Sequence, residues 1–184
     1  MIENVIFDVG NVLYRWHPRF LFQKIIDDAG ELDHFLSEVL TLDWHFQHDQ
    51  GHNFGDTSAA LIEQHPQHED YIRQFGPRFN ETNGGPVAGS LEILRELDSR
   101  DVPLFAITNF SHEFYPPFAR QHAEIFDRFR DVVVSGAEKL VKPDAAIYAL
   151  AVNRFDIACD TAIFIDDNLA NVEGASFYRC HGVA

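Results

Sequence analysis

The chain has 184 residues, which is enough for one hydrophobic core or for one domain with a smaller insert. Its 14 lysine and arginine residues stand against 29 aspartate and glutamate residues, which gives a formal net charge of −15. Such an acidic surface repels phosphate backbones and anionic lipid, so we expect no nucleic acid and no membrane among the partners.

The first predicted element is a buried strand that ends in an aspartate. The run "NVIFD" is rich in β-branched and aromatic residues and ends at Asp8. It is too short for a buried helix, and it shows little alternation of polar and apolar residues. This pattern is typical of a strand that is covered on both faces in a parallel sheet.

A helical insert is predicted after this strand. The segments "RFLFQKIIDDAG", "ELDHFLSEVL" and "TSAALIEQH" are amphipathic at the helical period, with no convincing strand between them. The segment "ETNGGPVAG", from Glu81 to Gly89, has the glycine and proline content of a linker that returns to the rest of the domain. We therefore predict a core made of residues 1–14 and 83–184 and a helical cap made of residues 15–82.

Strands and helices alternate after the insert. Three further apolar runs are predicted strands, namely "VPLFAITN" ending at Asn109, "DVVVS" ending at Ser135 and "TAIFIDD" ending at Asp167. Helices are predicted over "GSLEILRELDSRD", over "KPDAAIYALAVNRF" with Pro143 in its first turn, and over "NLANVEGASFY". This alternation indicates an α/β fold with a Rossmann-like parallel sheet.

Chemically useful side chains follow the predicted strands, where open parallel sheets bind their ligands. They are Asp8, Thr108, Asn109, Lys142, Asp166 and Asp167. Three carboxylates in one place repel one another unless a cation lies among them, and a few hard oxygen ligands suit Mg²⁺. Hydroxyl, amide and ammonium groups donate to phosphate oxygens, and an aspartate can attack phosphorus, so this set predicts Mg²⁺-dependent phosphoryl transfer.

Four segments resemble the motifs of the haloacid dehalogenase-like (HAD) hydrolase superfamily. "FDVGNVL", "ITN", "KPD" and "FIDDN" occur in the family's order, and a helical cap after the first motif is also similar. The resemblance covers the whole predicted core. It implies a HAD-like fold and a phosphatase that hydrolyses a small phosphorylated metabolite through an aspartyl phosphate, with Mg²⁺ as the cofactor.

The resemblance implies roles for the acidic positions. Asp8 would be the nucleophile and a metal ligand, and Gly10 would lend its backbone carbonyl to Mg²⁺. Asp167 would bind the metal, with Asp166 beside it as a further ligand or as support for one. The four positions together form the expected metal site.

The resemblance also implies how the phosphate is held. Thr108 and Asn109 would bind the transferring phosphoryl group, and Lys142, in "KPD", would neutralise the nucleophile and the phosphate. Lys139 is three residues early in the sequence, so we interpret it as a solvated surface lysine.

Gly10 departs from the family's pattern. In most phosphatases of the superfamily this position is an aspartate that protonates the leaving oxygen and then activates water. General acid–base catalysis contributes roughly 10² to 10⁴-fold, so its loss slows turnover without abolishing it. The form "DVGNV" is similar to a subgroup of sugar-phosphate phosphatases that includes a bacterial glucose-1-phosphatase, so we predict a sugar phosphate as the substrate.

Two other functions stay open. A hydrolytic dehalogenase would need no metal, and the acidic pair in "FIDDN" argues against it because dehalogenases do not carry such a pair there. A non-catalytic binding or regulatory module that has kept the fold is favoured by Gly10. The presence of Asp8, Lys142 and Asp167 argues against that module.

The stretch "TLDWHFQHDQGHNFGD" of the predicted cap carries His45 and His48 among aromatic residues. In the family the cap selects the leaving group, so both histidines are candidate specificity residues. Either could supply the proton that Gly10 cannot, because imidazole titrates near neutral pH. His112 is a rival by its position in the sequence, and Gly51 and Gly55 are expected to break the helix.

The cysteines and the N-terminus predict a cytoplasmic protein. Cys159 and Cys180 have no neighbouring Cys or His at metal-ligand spacing, so we interpret them as buried thiols in a reducing compartment. No apolar run approaches the roughly 18 residues of a membrane span. The first residues include Glu3 and lack the basic start of a signal peptide. We expect a monomer or a homodimer, with the aromatic residues of the insert in the core.

Overall fold

A computed structural model of the chain describes residues 2–177 and 180–183. It contains a five-stranded parallel sheet and a two-stranded antiparallel ribbon. The strands are β1 (Asn4–Phe7), β2 (Tyr14–Trp16), β3 (Asn83–Pro86), β4 (Leu104–Thr108), β5 (Asp131–Val134), β6 (Ala162–Ile165) and β7 (His181–Val183). The four strands expected from the sequence are β1, β4, β5 and β6, and the predicted α/β fold is confirmed.

The order of strands in the sheet is β5-β4-β1-β6-β7. Phe7 of β1 pairs with Ala106 on one side and with Ile165 on the other. The chain builds β4 and β5 on one side of β1 and then β6 and β7 on the other side, so a topological switch point lies between β1 and β6. Parallel sheets bind ligands in the crevice at such a point, outside the carboxyl ends of the strands.

The segment from 17 to 82, called the helical segment below, contains five α-helices. They are α1 (Arg19–Phe22), α2 (Ala29–His34), α3 (Leu42–Asp49), α4 (Phe54–Gln64) and α5 (Glu69–Phe75). The side chains of Asp28, Thr41 and Asn53 accept hydrogen bonds from first-turn N–H groups of α2, α3 and α4, which fixes where these helices begin. Gly51, at φ +91°, follows the end of α3 as expected, whereas Gly55 lies inside the first turn of α4 and breaks no helix.

The ribbon is a feature that the sequence interpretation missed. Tyr14 of β2 pairs with Pro86 of β3, and Trp16 pairs with Asn83. No strand separates the helices of the insert, as predicted, but β2 precedes them and β3 lies inside the segment Glu81 to Gly89, which was predicted to be a simple linker. The sequence pattern does not indicate these two strands, because β2 has only three residues and β3 has the sequence "NGGP", which lacks strand-forming residues.

In the part of the chain that the structure describes, six further α-helices follow the ribbon. They are α6 (Ser90–Ser99), α7 (Tyr115–Gln121), α8 (Ala123–Phe126), α9 (Ser135–Glu138), α10 (Ala145–Phe155) and α11 (Leu169–Phe177). The prediction that Pro143 lies in the first turn of α10 is wrong, because Asp144 still has extended backbone angles and the helix begins at Ala145.

The two faces of the sheet bury different hydrophobic clusters. Phe7 belongs to a large cluster that continues into the helical segment, where it includes Phe22, Phe35 and Trp44. Ile6, on the opposite face, belongs to a second cluster with residues of α10. The core interpretation of these aromatic residues is therefore confirmed. Among the described residues, no helix combines the length and the apolar character needed to cross a membrane.

The structure joins Cys159 and Cys180 in a disulfide, with their Cα atoms 4.6 Å apart. The prediction of two buried thiols is therefore wrong. The spacing of 21 residues carries no pairing signal in the sequence, and only the fold brings the two residues together. Because disulfides persist mainly in oxidising surroundings, the cysteines do not support the cytoplasmic location, which stays a prediction.

Candidate active site

Asp8 directly follows the central strand β1, and the sheet fixes its backbone. Its N–H donates to the Ile165 carbonyl at 2.8 Å, and its own Oδ1 accepts from the Val9 N–H at 2.7 Å. The residue is only 8% exposed. A buried carboxylate in this position needs a cation nearby, because burial disfavours its charge.

Lys142 supplies that cation. Its Nζ lies 2.9 Å from Asp8 Oδ1 and 2.6 Å from Asp166 Oδ2, and the side chain is almost completely buried. The Asn109 side chain holds the lysine backbone: its Oδ1 accepts from the Lys142 N–H at 2.8 Å, and its Nδ2 donates to the Lys142 carbonyl at 3.0 Å. The loop after β4 thus positions the lysine that neutralises the carboxylate after β1.

Asp166 is the most enclosed of the carboxylates, at 1% exposure. Its Oδ1 accepts from the Asn168 N–H at 2.9 Å, and Asn171 Nδ2 donates to Oδ1 and Oδ2 at 3.0 and 3.1 Å. Asp167, the next residue, is exposed. The acidic pair therefore consists of one buried, hydrogen-bonded carboxylate and one that is accessible to solvent.

The three carboxylates form a candidate metal site. Oxygen atoms of Asp8, Asp166 and Asp167 all lie within 4.8 Å of one another. A cluster of hard oxygen donors with a single adjacent ammonium fits Mg²⁺, which binds a few carboxylates and keeps several waters. The donors present thus fit the predicted ion. Gly10 lies two residues after Asp8, and its carbonyl stays a predicted ligand.

Burial and charge shift the acidity of this cluster. Burial raises the pKa of Asp8 to about 6; the Asp166 carboxylate adds to the rise, and Lys142 opposes it. Burial also raises the pKa of Asp167, again with a contribution from Asp166. A divalent cation at this position would favour the ionised form of both groups.

Thr108 and Asn109 lie where the sequence places them, at the end of β4. Thr108 is buried and pairs with Val134 in the sheet, and Asn109 is half-buried. The Asn109 amide is occupied with the Lys142 backbone, so its evident task is to position the lysine. Contact of these two residues with a phosphoryl group stays a prediction.

A cavity of about 80 Å³ opens beside Gly10 and Asn109, between the sheet edge and the helical segment. Much of its wall is aromatic, and these residues are Tyr14, Trp16, Phe79, Phe110 and Phe118. The residues with polar side chains at the wall are Arg15, His45, Asp49, Asn80, Thr82, Asn83 and Asn109. The cavity thus reaches Val9, Gly10 and Asn109 at the carboxyl ends of β1 and β4, next in the chain to Asp8.

The structure separates the two candidate specificity histidines. His45 lines the cavity and packs against the Trp16 ring, with centroids 4.5 Å apart. His48 is fully buried outside the cavity lining, and its Nε2 makes a hydrogen bond of 2.7 Å with Thr57 Oγ1. Burial lowers the pKa of His45 to about 3 and that of His48 to about 4. His112, the positional rival, is exposed and lies outside the cavity lining.

Asp49 is the residue of this site that sequence reasoning missed. It is the last residue of α3, lines the cavity and is 7% exposed. Burial raises the pKa of its carboxyl to about 8; Asp8 adds to the rise, and Lys142 opposes it. Its sequence signal was an acid four positions after His45, within a helix otherwise rich in aromatic and histidine residues.

The solved structures most relevant to this geometry share its fold. The HAD family enzyme bt-2542 from Bacteroides thetaiotaomicron, in complex with magnesium and inorganic phosphate, has a TM-score of 0.75 at 18% identity, over 100% of this chain and 94% of that chain. The L-2-haloacid dehalogenase from Xanthobacter autotrophicus, with chloropropionic acid covalently bound, has a TM-score of 0.67 at 16% identity, over 99% of this chain and 76% of that chain. At these identities the likeness shows the fold alone.

Sequence comparison gives the family. The sesquiterpene phosphatase astK from Aspergillus oryzae is 27% identical over 178 residues, which cover 92% of this chain and 83% of that protein. Residues 2–176, nearly the whole chain, match the family of haloacid dehalogenase-like hydrolases. The resemblance seen in the four motifs is thereby confirmed at the level of the superfamily. The chain belongs to the haloacid dehalogenase-like hydrolases.

Proposed function

We propose that this hydrolase is a Mg²⁺-dependent phosphatase that cleaves a small phosphomonoester through an aspartyl phosphate on Asp8. The observation that carries the proposal is the buried Lys142 ammonium between Asp8 and Asp166. It compensates the charge of the carboxylate that must approach an anionic phosphate, which is the main difficulty in phosphoryl transfer.

The residues act in two steps. An Asp8 carboxylate oxygen attacks phosphorus and the bond from phosphorus to the alcohol oxygen breaks, which leaves an aspartyl phosphate. Water then attacks that phosphorus, the bond to Asp8 breaks, and inorganic phosphate leaves. Lys142 neutralises the nucleophile throughout. Asn109 positions the lysine through its side chain, and the phosphoryl oxygens are assigned to Thr108 and to the Asn109 main chain, as the family resemblance implies.

Asp8 and Asp167 would hold Mg²⁺ together with the Gly10 carbonyl, and Asp166 would contribute as a ligand or through its neighbours. Bound there, the ion supplies positive charge to the phosphoryl oxygens. The fit of the carboxylate cluster supports this assignment. A second support is the related enzyme from Bacteroides thetaiotaomicron, which was crystallised with magnesium and inorganic phosphate.

Two substrate classes follow from different observations. The "DVGNV" form favours a sugar phosphate. The aromatic wall of the cavity favours an alcohol with an apolar carbon skeleton, because such walls gain free energy by covering apolar surface. The relative from Aspergillus oryzae, named as a sesquiterpene phosphatase, supports the second class. We rank the apolar alcohol first because the aromatic cavity is observed in this structure, whereas the sugar phosphate is inferred from a sequence resemblance alone.

The test measures phosphate release from terpenyl, sugar and aryl phosphates, with Mg²⁺ and with EDTA. We expect release that requires the metal, with the terpenyl phosphate preferred over the sugar phosphate. Asp8→Asn keeps the size of the side chain and removes the nucleophile, so it should lower turnover by more than about 10³-fold.

Other outcomes assign the alternative functions. Chloride release from 2-chloropropionate without Mg²⁺ would identify a dehalogenase. Binding of a phosphorylated ligand with no phosphate release from any substrate would identify a binding module, for which Gly10 is the main argument.

A further inference from the structure

The phosphatase proposed above lacks an acid–base group at its usual place. Gly10 has no side chain, and a Cβ built there meets no atom within 4 Å. The space in front of the glycine belongs to the cavity that Asn109 also lines. A proton donor for the leaving oxygen must therefore come from another element that reaches this cavity.

Asp49 is a carboxyl group at the wall of that cavity, on the helical segment. Its side chain is nine-tenths buried, and its Oδ1 has no hydrogen-bond partner among the described residues. His45 Nε2 lies 3.8 Å from this oxygen, beyond hydrogen-bond reach. Buried polar atoms without a partner are rare because they cost free energy, so this carboxyl needs an explanation.

The end of α3 is fixed against the core. Ser135 Oγ donates to the Asp49 carbonyl at 2.7 Å and accepts from the Phe110 N–H at 3.0 Å. A Cβ at Gly136 would lie 2.9 Å from the His48 carbonyl oxygen, so the end of α3 and the start of α9 touch without side chains between them. Asp49 is thereby held beside the loop that carries Asn109.

We propose that Asp49 is the catalytic acid–base residue that replaces the carboxylate missing at Gly10. As Asp8 attacks phosphorus, the Asp49 carboxyl gives its proton to the oxygen of the departing alcohol. When water attacks the aspartyl phosphate, the Asp49 carboxylate takes the proton from that water. Asp49 is then protonated again, and the cycle consumes one water and releases one alcohol and one phosphate.

The two histidines fit this role less well. His48 is directed to Thr57 and lies outside the cavity lining, and His45 is packed on Trp16. The titratable and charged groups that bear on Asp49 are His45 on its own helix and Asp8 and Lys142 at the sheet edge. Burial and the Asp8 charge both favour the protonated form of Asp49, which is the form that the first step requires.

The experiment compares Asp49→Asn with Asp43→Asn on two substrates. Asp43 lies in the first turn of α3 and is exposed, so its change from acid to amide is a matched control. An alkyl phosphate has a poor leaving group that needs a proton, whereas p-nitrophenyl phosphate has a good one that does not. The quantity measured is kcat/KM with Mg²⁺, together with the early time course of nitrophenol release.

We expect Asp49→Asn to lower kcat/KM for the alkyl phosphate by roughly 10² to 10⁴-fold and for the aryl phosphate by less than about tenfold. A burst of nitrophenol, equal to the enzyme concentration, should appear because the aspartyl phosphate is no longer hydrolysed quickly. Asp43→Asn should show neither effect. Equal losses on both substrates, or full activity on the alkyl phosphate, would overturn the proposal.

Failure of the phosphatase function gives a different result. Wild-type protein that releases phosphate from neither substrate, or release that survives Asp8→Asn, would overturn the proposed function, and the role of Asp49 would fall with it. Activity that depends on Asp8 but ignores Asp49 would overturn the role of Asp49 alone.

Discussion

Lys142 carries the charge balance of the site. It is a buried ammonium within 3 Å of two buried carboxylates, and Asn109 holds its backbone from both sides. Replacing a single partner in such a network leaves buried charges without compensation, which costs more than the network contributes when complete. The lysine is therefore needed for stability as well as for the proposed reaction.

Lys142→Met tests this balance. We expect the free energy of unfolding in urea at pH 7.5 to fall by about 3–5 kcal/mol, because Asp8 and Asp166 lose their shared cation. Lys139→Met is the matched control, since Lys139 is exposed and should change the free energy by no more than about 0.5 kcal/mol. Similar effects of the two substitutions would contradict the charge balance described here.

At the residue scale, sequence reasoning located the groups that end a strand or directly follow one. Asp8, Thr108 and Asp166 could be placed because a parallel sheet brings the carboxyl ends of its strands together. Asp49 could not be placed, because its proximity to Gly10 depends on how α3 docks, and no local pattern encodes that contact. The pairing of Asn109 with the Lys142 backbone was likewise invisible in the sequence.

At the scale of elements, two glycines decide how closely α3 approaches the core. Gly51 is at φ +91°, and a Cβ there would lie 2.8 Å from the Gly136 carbonyl oxygen. A Cβ at Gly136 would lie 2.6 Å from the His112 nitrogen and 2.8 Å from the Phe110 oxygen. These are backbone atoms, so they cannot move aside as a flexible side chain would.

Gly136→Ala should therefore force the loop after β4 and the end of α3 apart. We expect a loss of about 1–3 kcal/mol in the free energy of unfolding, as for other overpacked sites. Gly10→Ala is the control, because a Cβ there meets open space, and its cost should stay below about 1 kcal/mol. Amide hydrogen exchange in α3 should be faster in Gly136→Ala than in the wild type, and unchanged in Gly10→Ala. Unchanged exchange in Gly136→Ala would contradict the role given to Gly136 in the contact between α3 and the core.

The strands were easier to predict than their connections. Runs such as "VIF" and "LFAIT" are fully buried, and their β-branched and aromatic content identifies them without further information. The ribbon depends on pairing between residues about 70 positions apart. The sequence "NGGP" of its strand β3 is typical of a turn. Long-range pairing of poor strand formers is the part of this fold that single-sequence patterns do not contain.

At the scale of the whole molecule, the histidines of α3 couple stability to pH. His48 is enclosed by the rings of Trp44, Phe54 and Phe75 and has a pKa of about 4, against 6.5 in an unfolded chain. Between these values the unfolded chain binds the proton and the folded chain does not. The contribution of His48 to stability is therefore complete above pH 6.5 and declines as the pH falls towards 4.

His48→Gln removes this titration. The substitution should cost about 2 kcal/mol less at pH 5 than at pH 7.5, measured as the difference in free energy of unfolding from the wild type. Burial, the main cause of the lowered pKa of His45, is present in both proteins. A cost of His48→Gln that is independent of pH would show that His48 is not held neutral by burial.

The ribbon also bears on how such a protein can change in evolution. Because Tyr14 pairs with Pro86 and Trp16 pairs with Asn83, the two ends of the helical segment are neighbours, so the chain enters and leaves this segment at one place. Asp8 and Lys142 would stay behind in such an exchange, whereas Asp49 and part of the cavity wall would be replaced together. A single recombination event that exchanges the helical segment would thus replace part of the leaving-group pocket and its proposed proton donor together.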